Sequence, residues 1–248
     1  MKKLLGALAL LFLSQTTVFG QINTTQVGFC YRPIFSSSYF RTGPKNFNNN
    51  NISYTLSQHS GYTTGMLLRR GVTKKLTIES GILYVNRNYD LQFEDDTINK
   101  GFISKSDFTI IGYEIPLSAL IYIQLDQKIW MSSSIGGSID IFPSDVFTYE
   151  PTYMRHYSAR KSKINAGVLA NIGFEYRNGK HGTYYLGASY HRSLSSIYNT
   201  LVEYNTQNDF SKPAFSTGRT KLQGDYLTFD IRFYFHESPD RKIGRAHV

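Results

Sequence analysis

One cysteine, Cys30, is the whole thiol inventory of this chain of 248 residues. An intramolecular disulfide is therefore impossible, and the fold must hold without covalent staples. Tryptophan is as scarce, with 1 residue, and the 7 prolines are far outnumbered by 20 glycines. Charged side chains make up 18% of the sequence, against the ~25% usual for a soluble domain. The mean hydropathy of −0.31 is nevertheless not that of a greasy chain. Long apolar runs are missing too. The nearest candidate beyond the N-terminus, Phe108 to Leu125, carries Glu114 and Pro116 in its middle. A bundle of transmembrane helices, each needing ~20 predominantly apolar residues, is thereby excluded. Walker-type and dinucleotide glycine patterns are absent, and His59, His156 and His181 are scattered without metal-ligand spacing. No metal and no cofactor are expected.

What the chain has in plenty is 19 tyrosines and 17 phenylalanines. Their frequency, with that of the β-branched residues, excludes intrinsic disorder.

Both ends read as something other than fold. Lys2 and Lys3 precede an apolar stretch from Leu4 to Leu13, and Val18 and Gly20 stand at the −3 and −1 positions of a cleavage site before Gln21. This is the pattern of a secretory signal peptide, expected over 1–20, and its apolar stretch is too short to span a membrane. Its removal leaves 25 basic against 18 acidic side chains, a net charge of +7. Val27, Gly28 and Phe29 do not resemble a lipobox, so Cys30 is expected to be a small buried apolar residue. At the other end, Ile243-Gly244-Arg245-Ala246-His247-Val248 looks like the translation of a sequencing adapter. The expected organisation is thus a signal peptide at 1–20, one domain at 21–236 and a tail at 237–248, of which 243–248 is a suspected artefact.

The strongest signal in between is alternation. Leu227, Phe229, Ile231, Phe233 and Phe235 fall on one side of a strand, and Thr228, Asp230, Arg232, Tyr234 and His236 on the other. Successive strand side chains point to opposite faces, so one face is apolar and the other polar. The same arithmetic holds for Ile164 to Tyr176 and for Tyr113 to Leu125, with weaker copies at Leu76 to Tyr84, Ile129 to Ile141 and Tyr184 to Tyr190. Eight strands follow, at about 26–42, 56–70, 75–93, 107–125, 129–142, 162–177, 182–198 and 224–236. Their connections alternate in length. Tight turns at Gly71 to Lys74, Asp126 to Lys128 and Asn178-Gly179-Lys180-His181 separate long polar segments near 43–55, 94–106, 143–161 and 199–223. That rhythm predicts an all-β fold, an eight-stranded antiparallel transmembrane β-barrel in an up-and-down meander, with one smooth and one ragged rim. A soluble lipocalin-like carrier would need the inverse polarity.

Three runs carry a family resemblance. Gly61-Tyr-Thr-Thr-Gly-Met-Leu-Leu-Arg-Arg-Gly-Val-Thr-Lys-Lys-Leu-Thr-Ile-Glu-Ser-Gly-Ile-Leu-Tyr84 resembles the second hairpin of the PorT-like outer-membrane β-barrel family. Tyr113-Glu114-Ile115-Pro116-Leu117 is similar to a recurrent strand entry of that family, and Ile231-Arg232-Phe233-Tyr234-Phe235 to its aromatic final strand. The resemblance implies a small barrel in the Gram-negative outer membrane, in a family some of whose members are associated with protein secretion. The residues that follow Phe235 depart from a barrel that ends on an aromatic.

The interior of an eight-stranded barrel is just wide enough to be filled by side chains. On this register the inward set includes Arg69, Glu79, Arg87, Glu114, Asp140, Glu175, Arg177, His191, Asp230 and Arg232. Buried charges must be paired, so a network that closes the lumen is expected. A narrow pore for small solutes or ions is the first alternative. A lipid-modifying enzyme using Ser189 and His191, with Glu175 on the hairpin partner, is the second, but no motif surrounds these residues, and no enzymatic activity is expected. The long segment 143–161 brings Phe147, Tyr149, Tyr153 and Tyr157 beside Arg155, His156, Arg160 and Lys161. Aromatic and basic side chains together suit a sugar, a phosphate or a protein partner, or else the interfacial girdle of a barrel. The expected role is that of an envelope scaffold, an adhesin or an accessory component of a secretion or envelope complex. Its expected partners are outer-membrane lipid and lipopolysaccharide and an envelope or secretion protein. Nucleic acid is not expected for an exported chain of modest charge.

Overall fold

The computed structural model describes residues 25–49, 52–73, 76–95, 102–150, 154–178, 181–205 and 215–235. The expected signal peptide at 1–20, the expected tail at 237–248, and Lys74, Tyr153, Gly179 and Lys180 of the expected turns and loop lie outside the described residues. In chain order the strands are β1 (Thr25–Phe35), β2 (Lys45–Asn49), β3 (Ile52–Gln58), β4 (Gly61–Gly71), β5 (Leu76–Asp95), β6 (Phe102–Gln124) and β7 (Ile129–Ile141). They continue as β8 (Val146–Glu150), β9 (Met154–Arg160), β10 (Ile164–Asn178), β11 (Gly182–Ser193), β12 (Ser196–Asn205), β13 (Phe215–Gln223) and β14 (Tyr226–Tyr234).

Eight of these close into a ring, β1-β4-β5-β6-β7-β10-β11-β14, every pair antiparallel. β14 returns to β1 from Gly28↔Tyr234 to Phe35↔Leu227. The chain is therefore an all-β, eight-stranded antiparallel transmembrane β-barrel with an up-and-down meander. Closure satisfies the backbone without an edge, as hydrocarbon requires.

The other six strands continue the same cylinder upward. β3 extends the line of β4 along the edge of β5, pairing from Ile52↔Asp95 to Gln58↔Tyr89, and β2 pairs with β3. β8, β9, β12 and β13 form a four-stranded sheet, with β13 packed beside β2 and β8 beside β6. The upper order repeats the lower one. Six strands of the lower ring are thus broken once and resumed, while β5 and β6 run through both storeys. β6 has 23 residues, which at ~3.4 Å per residue and a tilt near 40° is about 60 Å of height, roughly twice a hydrocarbon core.

This corrects the expected boundaries. The strand expected at 56–70 is interrupted at His59-Ser60, and that expected at 26–42 stops at Phe35 before a one-turn 3-10 helix over Ser38–Phe40. The segments expected as long polar loops are hairpins instead. Their inward residues, such as Ile52, Tyr54, Val202 and Tyr204, are buried, but the strands of these hairpins other than β5 and β6 are short, and in β2, β3 and β13 the outward residues are polar.

Polarity reverses between the storeys. Around the lower ring the outward side chains are apolar and exposed, among them Phe29, Ile82, Leu117, Ile135, Ile172 and Ile231. Tyr31, Tyr62, Tyr84 and Tyr113, on four neighbouring strands, touch in sequence at 6.0, 6.1 and 6.0 Å between ring centroids. Near the other end Tyr184, Phe233, Phe235 and Phe29 do the same at 5.0, 5.2 and 5.8 Å. Two aromatic girdles thus frame the apolar band, as at the two interfaces of a bilayer. In the upper storey the apolar side chains turn inward, and Tyr54, Leu91, Phe93, Phe108, Val202 and Tyr204 belong to one buried cluster.

Candidate functional site

Inward alternation on the lower strands brings together the ten charged residues expected in the lumen. All are buried except Arg177, which is 23% exposed at its side chain. Arg69 donates through Nη1 to Glu175 Oε1 at 2.7 Å and through Nη2 to Glu79 Oε2 at 3.0 Å. Arg177 donates to Glu175 Oε2 at 2.8 and 2.9 Å. Arg232 donates to Glu79 Oε1 at 2.7 Å and also bonds Asp230. Asp230 further accepts from Ser189 at 2.5 Å and Thr228 at 2.6 Å. The guanidinium groups lie on aromatic rings: Arg69 is 3.8 Å from the Tyr234 centroid, Arg177 4.4 Å from Trp130 and Arg232 4.6 Å from Tyr185. Tyr185 fits because its strand carries Gly187, where a Cβ would stand 2.1 Å from the phenolic oxygen. This layer is a cross-braced network of ion pairs from strands on different sides of the barrel, which we call the plug.

Above it is a second group. Glu114 on β6 is the cross-strand partner of Asp140 on β7, and His191 on β11 is the partner of Tyr226 on β14. His191 Nε2 is 3.0 Å from Asp140 Oδ2, 3.0 Å from Ser138 Oγ and 3.9 Å from Glu114 Oε2. Tyr226 donates to Glu114 Oε2 and stacks on the imidazole at 4.6 Å. The guanidinium of Arg87 sits 4.9 Å over Tyr226 and 5.6 Å over Phe142, where the apolar core of the upper storey begins.

The three residues of the expected enzyme alternative engage different partners. Ser189 bonds Asp230, His191 faces Asp140 and Ser138, and Glu175 is held by Arg69 and Arg177.

The loop expected to carry a partner surface is the β8–β9 hairpin. Register builds a grid on its outer face: Phe147, Tyr157 and Leu201 make one row across β8, β9 and β12, and Tyr149, Arg155 and Glu203 the next. These six line an open groove of about 400 Å³. Phe147 is 61% exposed, the Phe147 and Tyr149 rings are 14° from parallel, and Arg155 stands 5.6 Å over Tyr149. The Asp145 carboxylate accepts the Tyr157 hydroxyl at 3.2 Å and raises its pKa. Arg160 turns away from the groove, bonding Asp145 and the Phe142 carbonyl, and the Lys161 amide is fixed on the Ile197 carbonyl. His156 points inward, where burial lowers its pKa to about 4, and it bonds Ser158 at 2.8 Å.

Sequence reasoning missed Arg32, which is buried with Nε 3.5 Å from Asp230, although it shares the inward register of Cys30 and Ile34. It also missed Leu201 and Glu203, which lay in a segment read as loop. Cys30 is buried, as expected.

No family model matches the sequence, and no curated protein matches it. Among solved structures the chain is similar to the outer membrane protein OprG from Pseudomonas aeruginosa, at 11% identity and a TM-score of 0.49, over 89% of this chain and 100% of that one. It is similar also to the outer membrane protease OmpT from Escherichia coli, at 10% identity and 0.38, over 86% and 91%. A third is the β domain of the Bordetella autotransporter BrkA, at 8% identity and 0.33, over 87% and 99%.

Proposed function

We propose that this barrel resides in the Gram-negative outer membrane and works without catalysis, as a binding element of the cell envelope. The short turns, the start of β1 and the end of β14 lie at one rim and the tall storey at the other, the arrangement that directs the storey to the cell exterior. The lower layer of lumen charges pairs across the barrel, which supports a closed interior that neither catalyses nor conducts. The observation that carries the reading is the exposed grid on the outer face of β8, β9 and β12. Exposed Phe, Tyr and Arg side chains grouped on a rigid sheet are the composition of an interface core. Such a surface serves an adhesin, a scaffold or an accessory part of a secretion complex, the last also in keeping with the PorT-like resemblance. The stem of the barrel meets lipid and lipopolysaccharide.

The test combines topology with binding. Leu201→Cys should react with an impermeant maleimide on intact cells and Gln127→Cys should not, against a background in which Cys30 is buried. Joint replacement of Tyr149, Arg155 and Tyr157 by Ala should leave insertion intact and abolish the crosslinked adduct formed by a photoreactive residue at position 147. Reversed labelling, an adduct unchanged by the triple replacement, or a steady conductance in planar bilayers would each overturn the reading.

A further inference from the structure

The group above the plug contains an arrangement that the charge network does not explain. His191 Nδ1 is 3.1 Å from the Gly224 carbonyl oxygen, which only accepts, so Nδ1 carries a proton and donates. In a neutral imidazole Nε2 is then an acceptor. Yet Nε2 faces three oxygens: Asp140 Oδ2, Glu114 Oε2 and Ser138 Oγ. The single Ser138 proton is directed to Asp140 Oδ1 at 3.0 Å. Nε2, Asp140 Oδ2 and Ser138 Oγ, with Glu114 Oε2 beyond, therefore converge on one point, where either a second imidazole proton or a cation must stand. Asp140 Oδ2 and Glu114 Oε1 are fully buried and have no hydrogen-bond partner, an unfavourable state for a carboxylate oxygen without a positive neighbour.

We propose that Glu114, Asp140 and His191 bind a divalent transition-metal ion of the zinc class. The three ligand atoms lie within 4.8 Å of one another. An ion ~2.0–2.1 Å from each ligand in tetrahedral geometry holds them about 3.4 Å apart, and the distances of 3.0 and 3.9 Å from Nε2 bracket that value. One imidazole and two carboxylates is a donor set that zinc accepts. The surrounding bonds are those that orient ligands: Nδ1–H to a backbone carbonyl, Ser138 to Asp140, and Tyr226 to Glu114. Gly167 keeps the space beside the imidazole open, since a Cβ there would stand 2.4 Å from Nε2.

The charge count admits the ion. Arg87, Glu114 and Asp140 sum to one negative charge, which favours a cation among them. A second proton on His191 would also balance the group, and that alternative is what the experiment must separate. The ion would tie β6, β7 and β11 together at the level where six strands of the barrel break, which gives it a structural task. It does not depend on the outer groove.

Full-length barrel refolded in detergent with Zn²⁺, then passed over a chelating resin, should retain one equivalent of zinc by atomic emission. Refolding with Co²⁺ should give the visible d–d bands of a low-coordinate site. His191→Gln and Asp140→Asn should lose the retained metal, whereas Ser189→Ala, in the plug below, should keep it. Because wild-type stoichiometry and the cobalt spectrum need no variant, a misfolded mutant leaves the test intact. Folded wild-type barrel that retains no metal, or shows protons on both His191 nitrogens by ¹⁵N spectroscopy in the presence of zinc, would overturn the proposal. So would equal retention by both ligand variants.

Discussion

Replacing Arg232 by Met probes whether the plug is as dry and paired as its geometry requires. The guanidinium is buried, bonds Glu79 and Asp230, and lies on the Tyr185 ring. Methionine keeps much of the volume and removes the charge. Breaking a buried pair from one side costs ~3–5 kcal/mol, because an uncompensated charge stays behind. Here each abandoned carboxylate keeps other partners. Glu79 retains Arg69 and the Tyr234 hydroxyl, and Asp230 retains Arg32, Ser189 and Thr228. The loss should therefore fall at the lower end, about 3 kcal/mol. Arg177 supplies the control. It is partly exposed and serves Glu175, which Arg69 also holds, so Arg177→Met should cost ~1 kcal/mol or less. Urea titration of folding into vesicles, followed by the heat-dependent shift in gel mobility, measures both. The double variant with Glu79→Gln should recover part of the loss, because the unpaired carboxylate is then gone. A cost below about 1 kcal/mol for Arg232→Met would mean that water reaches the network, and the closed-lumen reading would fail.

Other outcomes follow from the two faces and the two storeys. Phe229 is 46% exposed and faces lipid while Asp230 is buried inward, so Phe229→Arg should hinder membrane assembly by ~2–4 kcal/mol if near the midplane, whereas Asp230→Asn should still insert. Equal loss of inserted protein from both would refute the register. His156 is buried, with its pKa lowered from 6.5 to about 4, so the unfolded storey binds a proton that the folded one refuses. The stability this confers is complete above pH 6.5 and is lost as pH falls towards 4, by an amount on the order of 3 kcal/mol. Hydrogen exchange of β9 and β12 amides should accelerate over that window, and His156→Phe should remove the dependence. An unchanged pH response in the variant would assign the effect elsewhere.

The period of two was legible because a barrel wall in lipid must present apolar side chains outward and polar ones inward at every second residue. That requirement is local, so Leu227 to Phe235 announces its faces without reference to any other segment. Strand number, antiparallel order and the inward charges follow from the same pattern. Where the strands break did not follow, because the hairpins of the upper storey are short and reverse the polarity code, hiding Ile52 and Tyr54 in what reads as polar loop. Nor could the sequence say which charges meet. Arg69 and Glu175 are 106 positions apart, and their ion pair exists only because closure brings β4 and β10 across one lumen. His191 shares a strand face with Ser189, but curvature of the wall and the approach of β7 give it to Asp140 instead. Alternation decides which side a residue faces. Ring closure alone decides what it finds there.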